Sequence, residues 1–264
     1  MAEDLSSTET SSRRADAAPV LAGRFRAAYA VLAVVLGAAV GAFLVLAGGD
    51  EQTAGPSWSA WQPEGESAEQ MQQIANFVSR QYRLDDTNRQ LVAVTVSKPP
   101  TIQTNPPAAV TRVAVATGAS EEEIDVMSAE GTAAYVLCGL GEGCAIREGR
   151  PTVERGQLLR REALELALYT FKYVDGVNSV VAFLPPRPGS EQRLAVFFQE
   201  DDLSSALERP LRETLAERRS LTPSSLAPSE TGVIQSYADR RVFQYRFGQA
   251  PDGGVFLALE PPAL

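Results

Sequence analysis

The chain has 264 residues, of which 44% are hydrophobic and 22% charged, a composition typical of a folded protein. Its net charge of −9 lies beyond residue 26, because the acids and arginines of residues 1–26 cancel. Such acidity, without a lysine or arginine cluster, argues against nucleic-acid binding. The absence of histidine excludes Ser-His-Asp and Cys-His catalysis and histidine-ligated zinc.

Residues 1–26 are rich in Ser, Thr, Ala and acidic residues, lack apolar periodicity, and predict a disordered cytoplasmic tail. Residues 27–49 follow without a charged side chain. As a helix this stretch would measure about 34 Å at ~1.5 Å per residue, against a hydrocarbon core of roughly 30 Å. It therefore predicts one transmembrane helix that holds the chain in a lipid bilayer.

The charges that flank residues 27–49 indicate the orientation of this helix. Arg24 and Arg26 precede it, whereas Asp50 and Glu51 follow it. The positive-inside rule places the N-terminus in the cytoplasm and the rest of the chain outside the plasma membrane. A cleaved signal peptide is the alternative, but its apolar region is usually about 7–15 residues long. We therefore favour an uncleaved signal anchor and a single-pass protein.

Small residues recur on one face of the predicted transmembrane helix. Gly37 and Gly41 form a G-x-x-x-G pair, and Ala33 lies one turn earlier. Such a face allows two helices to approach closely, although this spacing also arises by chance in Ala/Gly-rich segments. The sequence thus leaves a homodimer through the membrane helix open.

Residues 50–66 are rich in Gly, Pro and Ser and predict a linker. Trp58 and Trp61 are the exceptions within it. Indole rings are favoured at the lipid headgroup level, but they also pack readily on a folded domain. We favour packing on the domain.

Residues 67–264 predict an extracytoplasmic α+β domain, with a mostly antiparallel sheet and packed helices, after the transmembrane helix. Two subdomains, 67–150 and 151–264, remain open. In the first part, apolar residues at helical intervals predict a helix over 67–83 with Ser67 as its N-cap. Alternating or β-branched residues predict strands over 91–97 and 110–117, and a β-hairpin over 133–148.

The two cysteines of the chain, Cys138 and Cys144, bracket the glycine-rich turn of that hairpin. In an oxidising compartment we expect them to form a structural disulfide. A redox pair is the alternative, but the C-x5-C spacing differs from the C-x-x-C of thiol oxidoreductases.

The second part begins with the most strongly predicted soluble helix, over 153–174, with Thr152 as its N-cap and an apolar second half. A hairpin of strands 178–184 and 193–199 follows. A helix over 201–219 is expected to break at Pro210, residues 221–232 to form a loop, and strands 242–247 and 255–260 to form a terminal hairpin.

Three patterns suggest chemistry, and each has a structural explanation. The G-L-G-E-G turn precedes a strand rather than a helix, which disfavours phosphate binding. The acidic clusters at 121–125 and 200–202 lack the spacing of calcium loops. Glu162 and Glu165 could supply a carboxylate pair for glycoside hydrolysis, but ion pairs on the helix surface with Arg160, Arg161 or Lys172 explain them better. We therefore assign no catalytic, cofactor-binding or metal-ligating residue.

Taken together, these patterns favour a non-catalytic binding or assembly module of the cell envelope, anchored in the membrane, whose partner is another envelope protein. A carboxylate-based enzyme acting on a cell-wall polymer is one alternative. A ligand sensor that signals through a separate cytoplasmic partner is another, because the short tail has no room for an output domain.

Overall fold

The computed structural model describes residues 57–102, 104, 106–116, 123–190, 192–216 and 220–262. The predicted tail, the 27–49 span with Ala33, Gly37 and Gly41, and the start of the linker lie outside the described residues. Within the described ranges, no helix combines the length and apolar character that crossing a bilayer requires. The described residues belong to one compact unit, Pro56–Leu264.

The first helix, α1, covers Ser67–Ser79. Its buried side chains Met71, Ile74, Ala75 and Val78 follow the helical period, as the sequence predicts. Its bounds differ from the prediction, because Glu66 rather than Ser67 occupies the N-cap position and makes no side-chain cap. The helix also ends before Tyr82, whose buried ring packs in the core instead.

The second helix, α2, covers Val153–Tyr173 and is the centre of the fold. The Thr152 hydroxyl accepts a hydrogen bond from the Arg155 N–H, which confirms the predicted N-cap. Every residue from Arg161 to Phe171 is buried. A helix buried on all sides must be covered by other elements, and here the sheet, α1 and the C-terminal helices cover it.

Two further helices differ from the prediction for residues 201–232. The predicted 201–219 helix is reduced to α3, Ser204–Leu207, between two short 3-10 turns, because Pro210 interrupts it. The predicted 221–232 loop is wrong in its second half, since α4 covers Pro228–Ala238. Pro228 provides a favourable first helical residue, and Ile234 and Ala238 are buried against the core.

In the described part of the chain, nine strands form one sheet in the order β1-β5-β6-β7-β8-β9-β3-β2, with β4 paired to β3. Only the β5–β6 and β3–β9 pairs are parallel, so the described domain is α+β with a mostly antiparallel sheet. The strands are β1 Ala93–Ser97, β2 Thr101–Ile102, β3 Ala108–Ala116, β4 Ile124–Ser128, β5 Thr132–Cys138, β6 Ser179–Phe183, β7 Leu194–Gln199, β8 Val242–Gln249 and β9 Val255–Glu260. The predicted 178–199 and terminal hairpins are both present.

Short connections force this sheet to curl. Strands β1 and β2 lie at opposite ends of the strand order, yet only residues 98–100 join them. Such a connection spans at most roughly 14 Å, whereas seven strand spacings in a flat sheet cover about 34 Å. Residues 129–131 join β4 to β5 in the same way. The two edges of the sheet must therefore approach each other.

The curled sheet separates two apolar cores. Alternate residues of β5, β6 and β7 face the helices, for example Tyr135, Val180 and Phe198. Their neighbours face the concave side, where Val181 and Phe197 pack in one cluster with residues of β3 and β9. The sheet thus has no solvated face along its central strands, which agrees with the continuous burial of β6.

Cys138 and Cys144 form the predicted disulfide, with 4.5 Å between their Cα atoms. The hairpin predicted around it is wrong beyond Cys138. Residues 142–144 make a 3-10 turn, and only the isolated bridge between Leu140 and Ile146 continues the pairing. The disulfide therefore closes a compact loop at the end of β5.

Replacing both cysteines with serine should lower the free energy of unfolding by about 2.4 kcal/mol, the chain-entropy value for a seven-residue loop. Urea titration of the variant beside the wild type under oxidising conditions measures this difference. The wild type under reducing conditions should match the variant. A variant as stable as the oxidised wild type would contradict a stabilising role of the bridge.

Trp58 and Trp61 pack on the domain, as the sequence favours. The Trp61 ring stacks on Phe77 at a centroid distance of 4.0 Å, and Trp58 meets Tyr169 and Tyr173 edge to face. The last part of the predicted linker is thus the first contact of the folded unit, and it covers one side of α2.

Candidate functional site

One cavity, here called the helix pocket, has a volume of about 650 Å³ and lies beside the first turns of α2. This volume falls within the range of small-molecule sites, roughly 300–1,000 Å³. Five separate segments of the chain supply its walls. The lining residues on which its chemistry depends are Gly149, Thr152, Arg155, Leu159, Arg160, Leu184, Arg187, Leu194, Asp239 and Val242.

The N-terminus of α2 forms one wall of the helix pocket. Thr152 satisfies the Arg155 N–H through its hydroxyl and the Gly156 N–H through its carbonyl. The positive end of the helix dipole, with its remaining first-turn N–H groups, favours a negative charge at this position. Proline residues at 151, 185, 186, 188 and 262 make the adjoining walls apolar and stiff.

Arg155 has an unsatisfied buried donor at the helix pocket. Its Nε is buried without a hydrogen-bond partner among the described residues, and desolvation lowers the pKa of its guanidinium. The guanidinium lies over Gly149, where a Cβ would come within 2.5 Å of Nη2. Gly149, whose φ of +79° also suits glycine, therefore provides the space that Arg155 occupies.

Two more arginines line the helix pocket. Arg160 lies 2.8 Å from Asp239, measured from Nε to Oδ1, which is an ion-pair distance although Nε makes no aligned hydrogen bond. Arg187 comes from the loop after β6 and has no ion pair among the described residues. Three arginines against one aspartate give the described part of the lining a net charge of +2, on a chain of net charge −9.

The helix pocket therefore combines a positive rim with apolar walls. A ligand oxygen could accept a hydrogen bond from Arg155, whose unmet donor costs the protein ~1–3 kcal/mol. A phosphate or carboxylate would also fit the fork of a guanidinium and the helix N-terminus. Leu159, Leu184 and Leu194 would cover an apolar portion of the same ligand. The chemistry that this arrangement supports is binding of an anion with an apolar body.

The expected ion pair of Glu165 with Arg161 is present, but the expectation that it lies on the helix surface is wrong, because Glu162 and Glu165 are buried in the core. Arg161, only 1% exposed, forms ion pairs with Glu165 at 2.7 Å and with Glu230 at 2.6 Å. The Tyr82 hydroxyl donates to Glu165 at 2.6 Å. These four side chains form a closed network, here called the buried ion cluster.

Glu162 adjoins the buried ion cluster but takes no part in its hydrogen bonds. Its side chain is fully buried, and neither carboxyl oxygen has a partner among the described residues. Burial, together with the nearby Glu165, raises the pKa of Glu162 well above its ordinary value. A neutral acid sealed in the core cannot serve a substrate, so Glu162 and Glu165 do not form an accessible catalytic pair.

The remaining candidate residues are placed apart from the helix pocket. The G-L-G-E-G turn leads into the disulfide loop and not into a helix N-terminus. Asp202 caps the backbone of Gln199 and pairs with Arg241 at 2.8 Å, which agrees with a structural reading of that acidic cluster. Lys172 contacts Trp58 and the Leu207 carbonyl. Within the described ranges, no group of three acidic, cysteine or histidine side chains could hold a metal ion.

One signal in the sequence indicates the helix pocket. Arg155 and Arg160 lie in the first two turns of α2, where basic residues oppose the helix dipole. Such a conflict often marks an anion site, because the unfavourable charge is retained for a ligand. Arg187 and Asp239 carry no comparable signal, since only the fold brings them to this place.

No family model, no curated protein and no solved structure matches the chain. The function is therefore inferred from the residues of the site.

Proposed function

We propose that the folded unit is the non-catalytic binding domain of a membrane-anchored envelope protein, and that the helix pocket binds an anionic ligand with an apolar body. The observation that carries this proposal is the excess of arginine around an apolar cavity in an acidic chain. The uncharged stretch 27–49 and its flanking charges support anchoring, with the domain outside the cytoplasm.

A binding role fits the helix pocket better than hydrolysis does. Glycoside hydrolysis needs two carboxyl groups that face each other across the substrate. Among the described residues that line the helix pocket, Asp239 is the only carboxylate, and Arg160 is already paired with it. The positive rim suits recognition of an anion, whether a free ligand or an acidic group on another envelope protein.

Hexyl phosphate should bind the full-length chain in non-ionic detergent more tightly than either hexanol or inorganic phosphate. Hexanol lacks the charge and inorganic phosphate lacks the apolar body, so the comparison separates the two contributions to the affinity. Arg155→Gln should weaken hexyl phosphate binding roughly tenfold or more, because a hydrogen bond to a charged group is worth ~1.5–3 kcal/mol. Isothermal titration calorimetry measures these affinities.

Arg80→Gln provides the matched control, since Arg80 is exposed and lies outside the helix pocket. Its affinity for hexyl phosphate should equal that of the wild type. Heptanoate in place of hexyl phosphate tests whether a carboxylate is accepted as well. Equal binding of hexanol and hexyl phosphate, or an unchanged affinity in Arg155→Gln, would contradict the proposal.

A further inference from the structure

A second cavity, here called the concave pocket, has a volume of about 360 Å³ and opens on the concave side of the sheet. Its apolar floor consists of Val115, Met127, Phe197 and Phe243, and the two phenylalanine rings meet edge to face at 6.5 Å. The volume again lies within the range of small-molecule sites. Its rim carries charges of both signs in equal number among the described residues, whereas the rim of the helix pocket is mostly positive.

We propose that the concave pocket binds a small zwitterion with an apolar side chain, whose ammonium contacts Asp125 and whose carboxylate contacts Arg240. Free amino acids and dipeptides both have this chemistry. The site is separate from the helix pocket and shares no lining residue with it.

Of the four described charged side chains that line the concave pocket, two form an ion pair with each other and two have no side-chain partner among the described residues. Arg241 and Asp202 form an ion pair at 2.8 Å, and Asp202 also accepts from the Gln199 N–H at 3.1 Å. Both side chains therefore take part in contacts that connect the start of β8 to the end of β7. Arg240 and Asp125 line the same cavity, and the side chain of neither has an ion pair or hydrogen bond to another described residue.

The two charges without a side-chain partner among the described residues reach the concave pocket from different elements. Asp125 lies on β4, whereas Arg240 lies in the turn between α4 and β8. Both side chains line the same cavity, together with the apolar floor. A single ligand that carries both a positive and a negative group can satisfy both without a direct ion pair between them.

The apolar floor indicates what the ligand carries beside its two charged groups. The rings of Phe197 and Phe243 line this floor, so they offer an apolar surface to a ligand. A hydrocarbon side chain over these rings would be removed from water, at ~25 cal/mol per Å² of apolar surface in general. Leucine and leucyl-leucine are therefore suitable probes.

The full-length chain should bind leucine more tightly than N-acetyl-leucine, which lacks the ammonium, and leucine amide, which lacks the carboxylate. Asp125→Asn should weaken leucine binding roughly tenfold and leave N-acetyl-leucine unaffected. Arg240→Gln should weaken leucine binding similarly and leave leucine amide unaffected. Chemical-shift titration or calorimetry in non-ionic detergent measures all of these affinities.

Each variant carries its own control for folding, because one capped probe should bind it as it binds the wild type. Asp175→Asn and Arg80→Gln remove exposed charges outside the concave pocket and should leave every affinity unchanged. Tighter binding of leucyl-leucine than of leucine assigns the site to dipeptides, and the reverse assigns it to free amino acids. Equal binding of capped and free probes, no binding at millimolar concentration, or affinities that both variants leave unchanged would overturn the proposal.

Discussion

Arg161→Met should lower the free energy of unfolding by ~3–5 kcal/mol, the typical cost of removing one partner from a buried ion pair. Arg161 is 1% exposed and is the only cation that the described structure places between Glu165 and Glu230. Without it, two carboxyl groups remain in the core, and the carbonyl of Ala216 loses the N–H that it accepts at 2.7 Å. Urea titration followed by tryptophan fluorescence measures the loss, because Trp58 and Trp61 pack directly on the folded unit.

Two controls separate the uncompensated charge from the change in packing. Arg89→Met removes the ion pairs of an exposed arginine with Asp85 and Glu148, and its stability should stay close to that of the wild type. Replacing Arg161, Glu165 and Glu230 together by apolar residues should recover most of the loss, since the unpaired carboxylates are then absent. If Arg161→Met and Arg89→Met were equally stable, the buried ion cluster would not stabilise the fold.

Rising pH should destabilise the wild type across a range in which Glu162→Gln is unaffected. Burial raises the pKa of Glu162 in the folded chain, whereas the unfolded chain releases this proton near the ordinary value of 4.5. Above that pH the unfolded state binds fewer protons, so the free energy of unfolding falls until the pH reaches the folded pKa. The slope approaches ~1.4 kcal/mol per pH unit for one such group.

The stability that Glu162 contributes is fully present below the pKa of its unfolded state. Below that pH, other groups change the free energy of unfolding. The Arg241 guanidinium lowers the pKa of Asp202, and the Gly254 N–H lowers that of Asp252. Both contribute stability that is lost as the pH falls, and both remain in Glu162→Gln. The difference between the two proteins above pH 4.5 therefore reports Glu162 alone.

Unfolding free energies measured from pH 4.5 to pH 8 should converge at the acidic end and separate towards the alkaline end, with Glu162→Gln the more stable. Glu154→Gln removes an exposed carboxyl from the same helix and should give a curve parallel to that of the wild type. Parallel curves for the wild type and Glu162→Gln would contradict the burial of an acid in its neutral form.

Local patterns predicted the elements whose residues are contiguous in the chain. The helix α2 follows from Thr152 and a long apolar run, and the β6–β7 and β8–β9 hairpins follow from alternation around turns. The helix α4 has a weak apolar pattern, with Gly232 in its middle, so packing against α2 and not intrinsic propensity stabilises it. No local pattern states which strands pair in parallel, because Val113 and its β9 partner Leu257 lie far apart in the chain.

At the candidate sites, too, local patterns predict the burial of single residues but not which distant residues come together. The sequence indicated that the second half of α2 is buried on nearly every side, and Glu165 lies within that half, so its burial could have been predicted. The sequence pattern indicates Asp125 only as part of an acidic cluster. Its relation to Arg240 depends on the curl of the sheet, which follows from the pairing order and the two short connections.

The position of β9 between β8 and β3 determines when the sheet can close during synthesis of the chain. During vectorial synthesis, β3 emerges long before its partner β9, because β4 to β8 lie between them in the chain. Until β9 has emerged, one edge of β3 and one edge of β8 lack the strand that later covers them. A nascent chain would then expose unpaired backbone that invites pairing with foreign strands. The emergence of β9 is therefore the earliest moment at which this sheet can close.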